Sequence, residues 1–453
     1  MSKEKTDLQF LVIDPQARGH ALACLLASAN DVQCVYLARH NPLPDNHCEK
    51  IIPLYWMEEL QPDTYPEIIH FCLEHRIDCV IVGTADTMAA GLIDALQSAD
   101  VKVIGANRNS LKLEDDKYFA KRFFNQHAIP TPDYVVCQSL QDIRSVNNHL
   151  FPCFIKSDRI IRSHYSAVKV MSKQQALDVA VQIFSIQKNY YGQASKVMLE
   201  QLCEGRELSF TVLLGGMHWL ALPTCRDYKT LENYHQGINT SGMGAFTPVD
   251  DINATLYKTI ISALIEPVIA SMHTESLSYN GFLYFGIIVD ADNQPRLLEL
   301  NCRLGDPEAQ AMCALLSEEF PQILWRASNG CLDNDDVLHC RSGYSCCVYA
   351  VPLSYPEKSR CFYPAVFTNG FSASESCQYH FGDITIKNEE PNTLMTGQKR
   401  AFSVTAWGET LQSARDTAYQ QLKTINSTGL RYRDDIGAPL SIHNANEIGR
   451  AHV

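Results

Sequence analysis

Short apolar segments alternate with helical segments over the first 115 residues. Strands are predicted at LQFLVID, VQCVYLA, CVIVG and VKVIGA, and helices at ARGHALACLLASAN, YPEIIHFCLEHR and TMAAGLIDALQSA. Strands separated by helices form βαβ units, so we expect a parallel sheet. Ligands bind such sheets at the carboxyl ends of the strands, which are here residues 14–20 and 83–86. Neither turn has GxGxxG spacing, so a dinucleotide oxidoreductase is the least favoured hypothesis.

The rest of the chain mixes strands and helices. The helix DKYFAKRFFNQHA is stopped by Pro130 and Pro132 and precedes the strands PCFIKSD and AVKVM and a helix around KQQALDVAVQIFS. The strands KVMLEQL and LSFTVLLGG, a loop rich in glycine, serine and asparagine (235–248) and a long helix (254–271) follow. From about residue 335 the strands SCCVYAVPL, GDITI and AFSVTAWG and the helix TLQSARDTAYQQLKTI indicate an α+β unit.

Residues 281–310, GFLYFGIIVDADNQPRLLELNCRLGDPEAQ, predict a hairpin followed by a helix. Alternation along the second strand places Glu299, Asn301 and Arg303 on one face. The same alternation places Arg296, Leu298 and Leu300 on the opposite face of the strand. Carboxylate and amide oxygens suit magnesium, and a nearby arginine suits a phosphate or a developing oxyanion. The pattern therefore predicts a site that acts on ATP.

A simpler interpretation of the same residues is an edge strand with a solvated polar face. Asp306 would then cap the helix that follows, with Pro307 in its first turn. Spacing alone leaves both interpretations open.

Composition limits the class of protein and its surroundings. A chain of 453 residues, 46% apolar and 20% charged, is long enough for two to four globular domains. A net charge of −13 argues against nucleic acid or an anionic membrane as the main partner. The 17 cysteines have neither zinc-like nor disulfide-framework spacing, which favours a reducing compartment. No apolar run reaches about 18 residues, so we expect a cytoplasmic protein.

The chain resembles the phosphoribosylamine–glycine ligase (glycinamide ribonucleotide synthetase) family of the ATP-grasp superfamily. The resemblance is densest in GFLYFGIIVD and LLELNCRLGDPEAQ, and it extends to LEDDKYFAKRFFNQHAIPTPDY, GINTSGMGAF, VTAWGETLQSARDTAY and RDDIG. It implies an α/β fold with an N-terminal parallel-sheet domain (1–115), a two-lobed ATP-grasp core (116–333) and a C-terminal α+β domain (334–453). The smaller lobe of the core, residues 118–195, would be a mobile lid, with ATP between the two lobes.

The same resemblance implies a carbon–nitrogen ligase of purine biosynthesis. ATP would phosphorylate the carboxylate of glycine, and the amine of 5-phosphoribosylamine would attack the glycyl phosphate to give glycinamide ribonucleotide, ADP and phosphate. Protein work in such a reaction is mostly positioning and charge neutralisation. ATP and Mg²⁺ (or Mn²⁺) are the expected cofactors, and a monomer or weak homodimer is the expected assembly.

The resemblance also assigns roles to single residues. Glu299 and Asn301 match magnesium ligands, and Arg303 matches an arginine that stabilises the transferring group. Lys156 and Lys117 match lysines of the nucleotide site.

Matches in the hinge and near the substrates are less specific. Glu200 and Leu202 belong to a hinge segment that contacts adenine, and Glu207 matches an acid near the ribose or the hinge. A plain strand with alternating exposure is the alternative for Glu207. Asp227 and Lys229 are candidates for holding glycine or the ribosylamine.

The resemblance also indicates substrate-binding residues in the loop of residues 237–244 and at one position near the N-terminus. Residues 237–244 would present backbone N–H groups to an anion, or would form a plain turn between strands. The loop's candidate substrate-binding residues are Gly237, Asn239, Thr240, Ser241 and Gly242. Arg18 is retained from the family's first βα turn and is a further candidate.

Three departures from the family pattern affect the phosphate and substrate loops. The glycine-rich phosphate loop, close to KADGLAAGKGV in the family, reads KSDRIIRSHYS here, without glycine. Arg159, Arg162 and His164 are hypothesised to supply charge in its place. The turn GNGGREHAL has become DPQARGHAL, and the loop GDxDTGPN has become ENYHQGIN. Two alternatives therefore stay open: an ATP-grasp ligase joining a different amine and acid, and a nucleotide-binding relative without activity.

Overall fold

The computed structural model describes residues 4–38, 43, 48–57, 60–159, 161, 164–192, 195–357, 361–368, 370–371, 374, 376–386, 390 and 392–438. Five strands of the N-terminal unit form a sheet in the order β3-β2-β1-β4-β5, with every pair parallel. Its elements are β1 (Leu8–Ile13), α1 (Ala17–Ser28), β2 (Val32–Ala38), β3 (Ile51–Leu54), α2 (Tyr65–Glu74), β4 (Cys79–Val82), α3 (Ala85–Ala90), α4 (Leu92–Ser98), β5 (Val103–Ile104) and α5 (Lys112–Asp115). The predicted parallel sheet is confirmed.

The structure differs from the sequence pattern at two places in this unit. Gly91 adopts a φ of 93° and divides the predicted helix TMAAGLIDALQSA into α3 and α4. Only glycine adopts such a φ at little cost, so the helix breaks there. Strand β3 was not predicted, because its four residues are few and include Pro53.

A small antiparallel sheet, ordered β6-β9-β7-β8, forms the smaller lobe of the core, which is called the lid lobe after the role expected for it. The segment contains α6 (Lys117–Gln126), β6 (Tyr134–Cys137), α7 (Leu140–Ser145), β7 (Cys153–Ser157), β8 (Ala167–Val170), α8 (Lys173–Tyr191) and β9 (Val197–Gln201). Ile155, Ile183 and Leu199 belong to a separate hydrophobic core of this lobe. Phe123 and Phe124 of α6 instead pack into the main core of the protein. The lobe therefore has a core of its own.

The larger lobe is built on an antiparallel sheet ordered β11-β10-β14-β15. Its elements are β10 (Arg206–Gly215), β11 (His218–Ala221), β12 (Arg226–Asp227), β13 (Gly244–Thr247), α9 (Ala254–Ile260), α10 (Glu266–Thr274), β14 (Gly281–Val289), β15 (Pro295–Asn301), α11 (Glu308–Cys313) and α12 (Phe320–Ser328). A π-helical turn, Ile261–Ile265, joins α9 to α10.

The helix at residues 254–274 is the one described helix that is long and apolar enough to cross a membrane. Leu264, Ile265 and Val268 of this helix are fully buried in the main core. Packing inside the protein therefore accounts for its apolar character.

The C-terminal unit continues a sheet that begins in the middle of the chain. Strands β12 and β13 pair onward in the order β12-β13-β16-β21-β18, and a second sheet is ordered β19-β20-β17-β22. The elements are β16 (Tyr344–Pro352), β17 (Pro364–Phe367), β18 (Cys377–Phe381), β19 (Ile384–Ile386), β20 (Thr393–Thr396), β21 (Phe402–Gly408), α13 (Leu411–Lys423), β22 (Ile425–Asn426) and β23 (Leu430–Arg431). This unit is α+β, as expected.

Candidate active site

The floor of the site is one face of β10, β14 and β15. Glu299 of β15 lies opposite Gly286 of β14, and Asn301 lies opposite Tyr284. On the other side of β14, Glu207 of β10 lies opposite Ile288. Directly paired residues of antiparallel strands share a face, and so do residues two apart along one strand. Glu207, Glu299 and Asn301 therefore face the same way.

A β-bulge in β15 alters part of the predicted alternation. The register shifts between Gly286 and Ile287, so that Ile287 pairs with Leu297 and Leu298 is the extra residue of the bulged strand. Leu297 and Leu300 are buried in the core, and Arg296 falls on the face of Glu299. The prediction that Arg296 lies on the opposite face with Leu300 is wrong, because the extra residue reverses the alternation on one side of it.

Glu299 faces an opening and is surrounded by lysines. Its side chain is 41% exposed, and the Nζ of Lys229 lies 3.7 Å from its Oε1 and 3.6 Å from the Oε2 of Glu207. Burial raises the pKa of Glu299, but Lys229, Lys156 and Lys117 together outweigh burial and lower it. The pKa of Lys229 is raised, because Glu207, Tyr284 and Glu299 outweigh its burial. Both groups are therefore charged at neutral pH.

Arg303 lies beside Asn301 and is oriented by a partner that the sequence did not indicate. One terminal nitrogen (NH2) donates to Asn301 Oδ1 at 3.2 Å, and Nε donates to Glu114 Oε1 at 2.9 Å. Glu114 comes from α5 and is buried, and it also accepts from the backbone N–H of Cys302 at 2.7 Å. Acidic residues in a short helix carry no sequence signal for such a role. The predicted group of Glu299, Asn301 and Arg303 is thus together in space.

The donors of this group fit a magnesium ion held jointly with a triphosphate. Within the described ranges, no cluster of three or more His, Cys, Asp and Glu side chains could hold a metal ion by itself. Magnesium is commonly bound through one or two carboxylates, several waters and the phosphates of the substrate. The carboxylate of Glu299 and the amide oxygen of Asn301 are sufficient protein ligands in that arrangement, and manganese accepts the same donors.

Two lysines meet one buried glutamate below the lid. Lys156 of β7 forms an ion pair with Glu200 of β9, and Lys121 of α6 approaches the other oxygen at 2.7 Å. The side chains of Lys121 and Glu200 are each 2% exposed. Burial raises the pKa of Glu200, but the two lysines outweigh it and lower the pKa. Lys121 was not predicted, although it follows Lys117 by one helical turn on an amphipathic helix.

The remaining nucleotide-site candidates lie near this ion pair. Lys117 begins α6, and burial lowers the pKa of its ammonium while Glu299 opposes the shift. Leu202 follows β9 in the connection to β10, where the two lobes meet. Glu200 itself points at the two lysines rather than outward.

The loop that follows the lid strand β7 is attached to α6. The carboxylate of Asp158 accepts from the backbone N–H of Tyr118 at 3.2 Å and from the hydroxyl of Ser195 at 3.1 Å. The guanidinium of Arg159 lies 5.3 Å from the ring centre of Tyr191. Arg162 lies outside the described residues, and His164 begins a short 3₁₀ turn. The phosphate role of these three residues stays a prediction.

The substrate loop between β12 and β13 is held by its own hydrogen bonds. The backbone N–H of Thr240 donates to the carbonyl of Lys229 at 2.7 Å, and that of Gly242 donates to Thr240 Oγ1 at 3.1 Å. The N–H of Ser241 donates to the hydroxyl of Tyr355 at 3.3 Å. These three residues therefore do not form the predicted cradle of free N–H groups, because protein acceptors take up their donors. Their position beside the substrates stays a prediction.

The rest of the loop is open to solvent at its tip. Gly237 is exposed and has a φ of 80°, and Asn239 is half-buried and forms a β-bridge with Thr230. Gly242 has a φ of 101°, and a Cβ there would lie 2.5 Å from the ring of Pro307. Glycine is required at that position for both reasons.

Asp227 is a half-buried residue whose carboxyl group has one buried, unused oxygen. Its Oδ1 has no hydrogen-bond partner among the described residues. Burial, Glu308 and Glu207 raise the pKa of Asp227 well above its ordinary value, and Lys229 opposes them. Glu308, which accepts from the hydroxyl of Ser209 at 2.8 Å, was not predicted as part of the site. An unsatisfied polar atom of this kind beside Lys229 is expected to bind a polar group of a substrate.

Asp306, proposed as a helix cap, has a different role. Its carboxylate accepts from Arg400 at 2.7 Å, from the hydroxyl of Tyr349 at 2.8 Å and from Gln310 at 2.8 Å. Helix α11 carries no side-chain cap.

Arg18 is buried between the N-terminal sheet and the loop after β15. Its Nε donates to Asp14 Oδ2 at 2.6 Å, and its terminal nitrogens donate to the carbonyls of Leu304 and Gly83. A small pocket beside it is lined in part by Phe282 and Arg303. The guanidinium is thus occupied by the protein itself, and its predicted contact with substrate stays untested.

Comparison with protein families identifies all three units. Models of the phosphoribosylglycinamide synthetase N domain, ATP-grasp (A) domain and C domain match residues 8–114, 115–309 and 345–439. A phosphoribosylamine–glycine ligase of Ralstonia nicotianae is 30% identical over 436 residues, covering 95% of this chain and 99% of the relative. One from Neisseria meningitidis is 29% identical over 430 residues, covering 95% and 98%.

Solved structures share the same architecture. A crystal structure of phosphoribosylamine–glycine ligase from Thermotoga maritima has a TM-score of 0.76 at 23% identity, covering 95% of this chain and all of that one. Biotin carboxylase of Campylobacter jejuni, in complex with β,γ-ATP, has a TM-score of 0.67 at 13% identity, covering 98% and 97%. The fold is therefore the ATP-grasp fold with an N-terminal and a C-terminal domain, and the chain belongs to the phosphoribosylglycinamide synthetase family.

Proposed function

We propose that the chain joins glycine to 5-phosphoribosylamine at the expense of ATP, giving glycinamide ribonucleotide, ADP and phosphate. The observation that carries the proposal is the position of Glu299 and Asn301 on an open face, with Lys229, Lys156 and Arg303 nearby. Such a site has a carboxylate and an amide oxygen to bind a metal ion, and positive side chains where the phosphates would lie.

ATP would lie between the two lobes, with its adenine against the hinge after β9. Mg²⁺ or Mn²⁺ held by Glu299 and Asn301 would neutralise charge on the phosphates. Lys117 and Lys156 would bind the phosphates from the lid side, and Lys156 would leave Glu200 to do so. A related carboxylase domain of this fold, from Hydrogenobacter thermophilus, was solved with MgADP, at a TM-score of 0.68.

Glycine, the acyl donor, would be held on the side of the site where the substrate loop lies. Lys229 and Asp227 would bind the carboxylate and amine of glycine, because they present one positive group and one unused oxygen side by side. Arg303 would stabilise the oxyanion that forms when the amine attacks the acyl phosphate. Free thiols throughout the described chain are consistent with a reducing, cytoplasmic location.

A second candidate is a ligase of the same descent that uses a different amine. It is favoured by the turn after β1, where Asp14 already supplies an anion to Arg18. A phosphorylated amine would have to displace that carboxylate or bind elsewhere.

The test is phosphate release from ATP with glycine and phosphoribosylamine together, then with each omitted, and then with other amines in place of phosphoribosylamine. Turnover that requires both supports the proposal. Turnover that requires glycine but accepts other amines selects the second candidate, and ATP binding without turnover under any combination refutes both.

A further inference from the structure

The C-terminal domain reaches the substrate loop through two buried arginines. Arg433 follows β23 and is 1% exposed, and Arg400 precedes β21 and is 8% exposed. Buried arginines need several partners to offset the loss of hydration. Both find some of these partners on residues 228–242 or on the turn that precedes α11.

Arg433 holds the first end of the loop. One of its nitrogens donates to the carbonyl of Thr230 at 3.0 Å and to the hydroxyl of Thr230 at 2.7 Å. The other two donate to the two oxygens of Asp435 at 2.8 Å and 2.6 Å, in the fork geometry that fixes a guanidinium. Its Cζ lies 4.9 Å from the ring centre of Tyr228. The residue between Tyr228 and Thr230 is Lys229, so this contact flanks the lysine of the site.

Arg400 holds the second end. One nitrogen donates to the carbonyls of Ser241 at 2.6 Å, Gly242 at 3.0 Å and Asp306 at 2.9 Å. Another donates to the carboxylate of Asp306 at 2.7 Å, and the guanidinium lies 4.4 Å from the ring centre of Tyr349. One side chain thereby joins the end of the loop to the turn that precedes α11.

Between these two ends, further bonds join the loop to the C-terminal domain. The backbone N–H of Tyr234 donates to Asp435, the partner of Arg433, at 2.7 Å, and that of Ser241 donates to the hydroxyl of Tyr355 at 3.3 Å.

The internal hydrogen bonds of the loop connect Lys229 to Thr240 and therefore preserve its shape, but they do not set its position. The ammonium of Lys229 meets Glu207 and Glu299 at 3.6 Å and 3.7 Å, distances that a small displacement of the loop would change. The position of the loop is therefore set by the C-terminal domain, through the two arginines, the bonds of Tyr234 and Ser241 and the pairing of β13 with β16.

We propose that Arg400 and Arg433 are positioning residues, which clamp the two ends of the loop and hold Lys229 against Glu207 and Glu299. The kinetic part of this proposal rests on the proposed function, whereas the placement of the loop does not. The C-terminal domain then takes part in substrate binding by setting the position of residues in the core.

The test compares Arg433→Lys and Arg400→Lys with Arg326→Lys in the full-length protein. Arg326 is a matched control, since it is also nearly buried and paired with two aspartates, but it lies in α12 away from the loop. Hydrogen exchange of residues 229–243 should quicken about tenfold in the two test variants, as for the loss of one charge-assisted hydrogen bond. Exchange elsewhere, and in the control at this loop, should be unchanged.

Kinetics give the second readout. In Arg433→Lys and Arg400→Lys, kcat/KM for glycine should fall on the order of 100-fold, as expected for small misplacements, while the Kd of ATP is unchanged. Unchanged exchange in the loop, exchange that rises equally over the whole C-terminal domain, or an activity loss explained by weaker ATP binding would each overturn the proposal.

A second variant covers poor folding of the lysine variants. Thr230→Val removes the hydroxyl that accepts from Arg433, together with that hydroxyl's bond to the carbonyl of Glu232 at 3.3 Å, and leaves the Arg433–Asp435 pair intact, so it should quicken exchange at residues 229–243 alone. If the wild-type protein proves inactive with both substrates, the proposed function fails, and the exchange results decide the present inference by themselves.

Discussion

Replacing Glu200 by glutamine should destabilise the attachment of the lid lobe far more than the loss of a surface charge would. Glu200 lies on β9 in the lid sheet, whereas Lys121 lies on α6, which packs into the main core. Their ion pair at 2.7 Å therefore connects the two bodies, and both side chains are 2% exposed. Glutamine keeps the shape of the side chain but leaves the ammonium of Lys121 buried without a counter-charge.

The magnitude follows from that burial. Breaking a buried pair by removing one partner costs about 3–5 kcal/mol, whereas an exposed pair is worth about 0–1 kcal/mol. Lys156 contributes less to this loss of stability, because its side chain is 12% exposed and can turn toward solvent. We therefore expect Glu200→Gln to lower the free energy of unfolding by about 3–5 kcal/mol.

Urea unfolding followed by circular dichroism, together with a double-mutant cycle, measures this effect. Lys121→Met combined with Glu200→Gln should be more stable than Glu200→Gln alone, because the uncompensated charge is then absent. Glu207→Gln is the matched control, since Glu207 also faces a lysine but is 27% exposed. A loss of about 1 kcal/mol or less for Glu200→Gln, or additive effects of the two changes, would show that the pair does not join the lobes.

Three further predictions concern pH, metal and nucleotide. Burial lowers the pKa of His380 to about 3, so its neutral form stabilises the fold fully above the unfolded pKa of about 6.5, and this stability is lost as pH falls toward 3. At pH 5 the loss is about 2 kcal/mol, and His380→Gln should lack that part of the pH dependence in urea unfolding; an equal loss in the variant would contradict it. Glu299→Gln should raise the Mg²⁺ concentration needed for half-maximal ATP turnover by about tenfold or more, and an unchanged metal titration would remove Glu299 from the metal site. Replacing Arg159 and Arg162 together by alanine should weaken ATP binding about tenfold in calorimetry, and unchanged affinity would refute a role for them in place of the missing glycines.

The parts of the fold that sequence could predict are those with a long, regular pattern. The helices α1, α6 and α13 and the parallel arrangement of the N-terminal sheet follow from the sequence pattern without correction, whereas the hairpin was predicted but the pairing with β14 changed its alternation. Alternation along one strand also brought Glu299, Asn301 and Arg303 together correctly, because their spacing is local.

Features set by distant partners could not be predicted. The bulge at Leu298 depends on the register with β14, and the pairing of Glu200 with Lys121 joins residues far apart in the chain. The sequence did not indicate that the guanidinium of Arg18 would donate to Asp14 and to two backbone carbonyls. A sequence pattern indicates which face of an element a side chain lies on, but only the tertiary structure shows which other groups it contacts there.

The crossing of β12 and β13 into the C-terminal sheet limits how this chain can be divided. A fragment that ends at the expected domain boundary, near residue 334, would leave β13 (Gly244–Thr247) without β16, so that one edge of this apolar strand would lose its backbone hydrogen bonds. Open strand edges of this sort recruit other chains. Recombinant fragments that end there should therefore precipitate, and any exchange of C-terminal domains between relatives must carry the segment of residues 226–247 along with them.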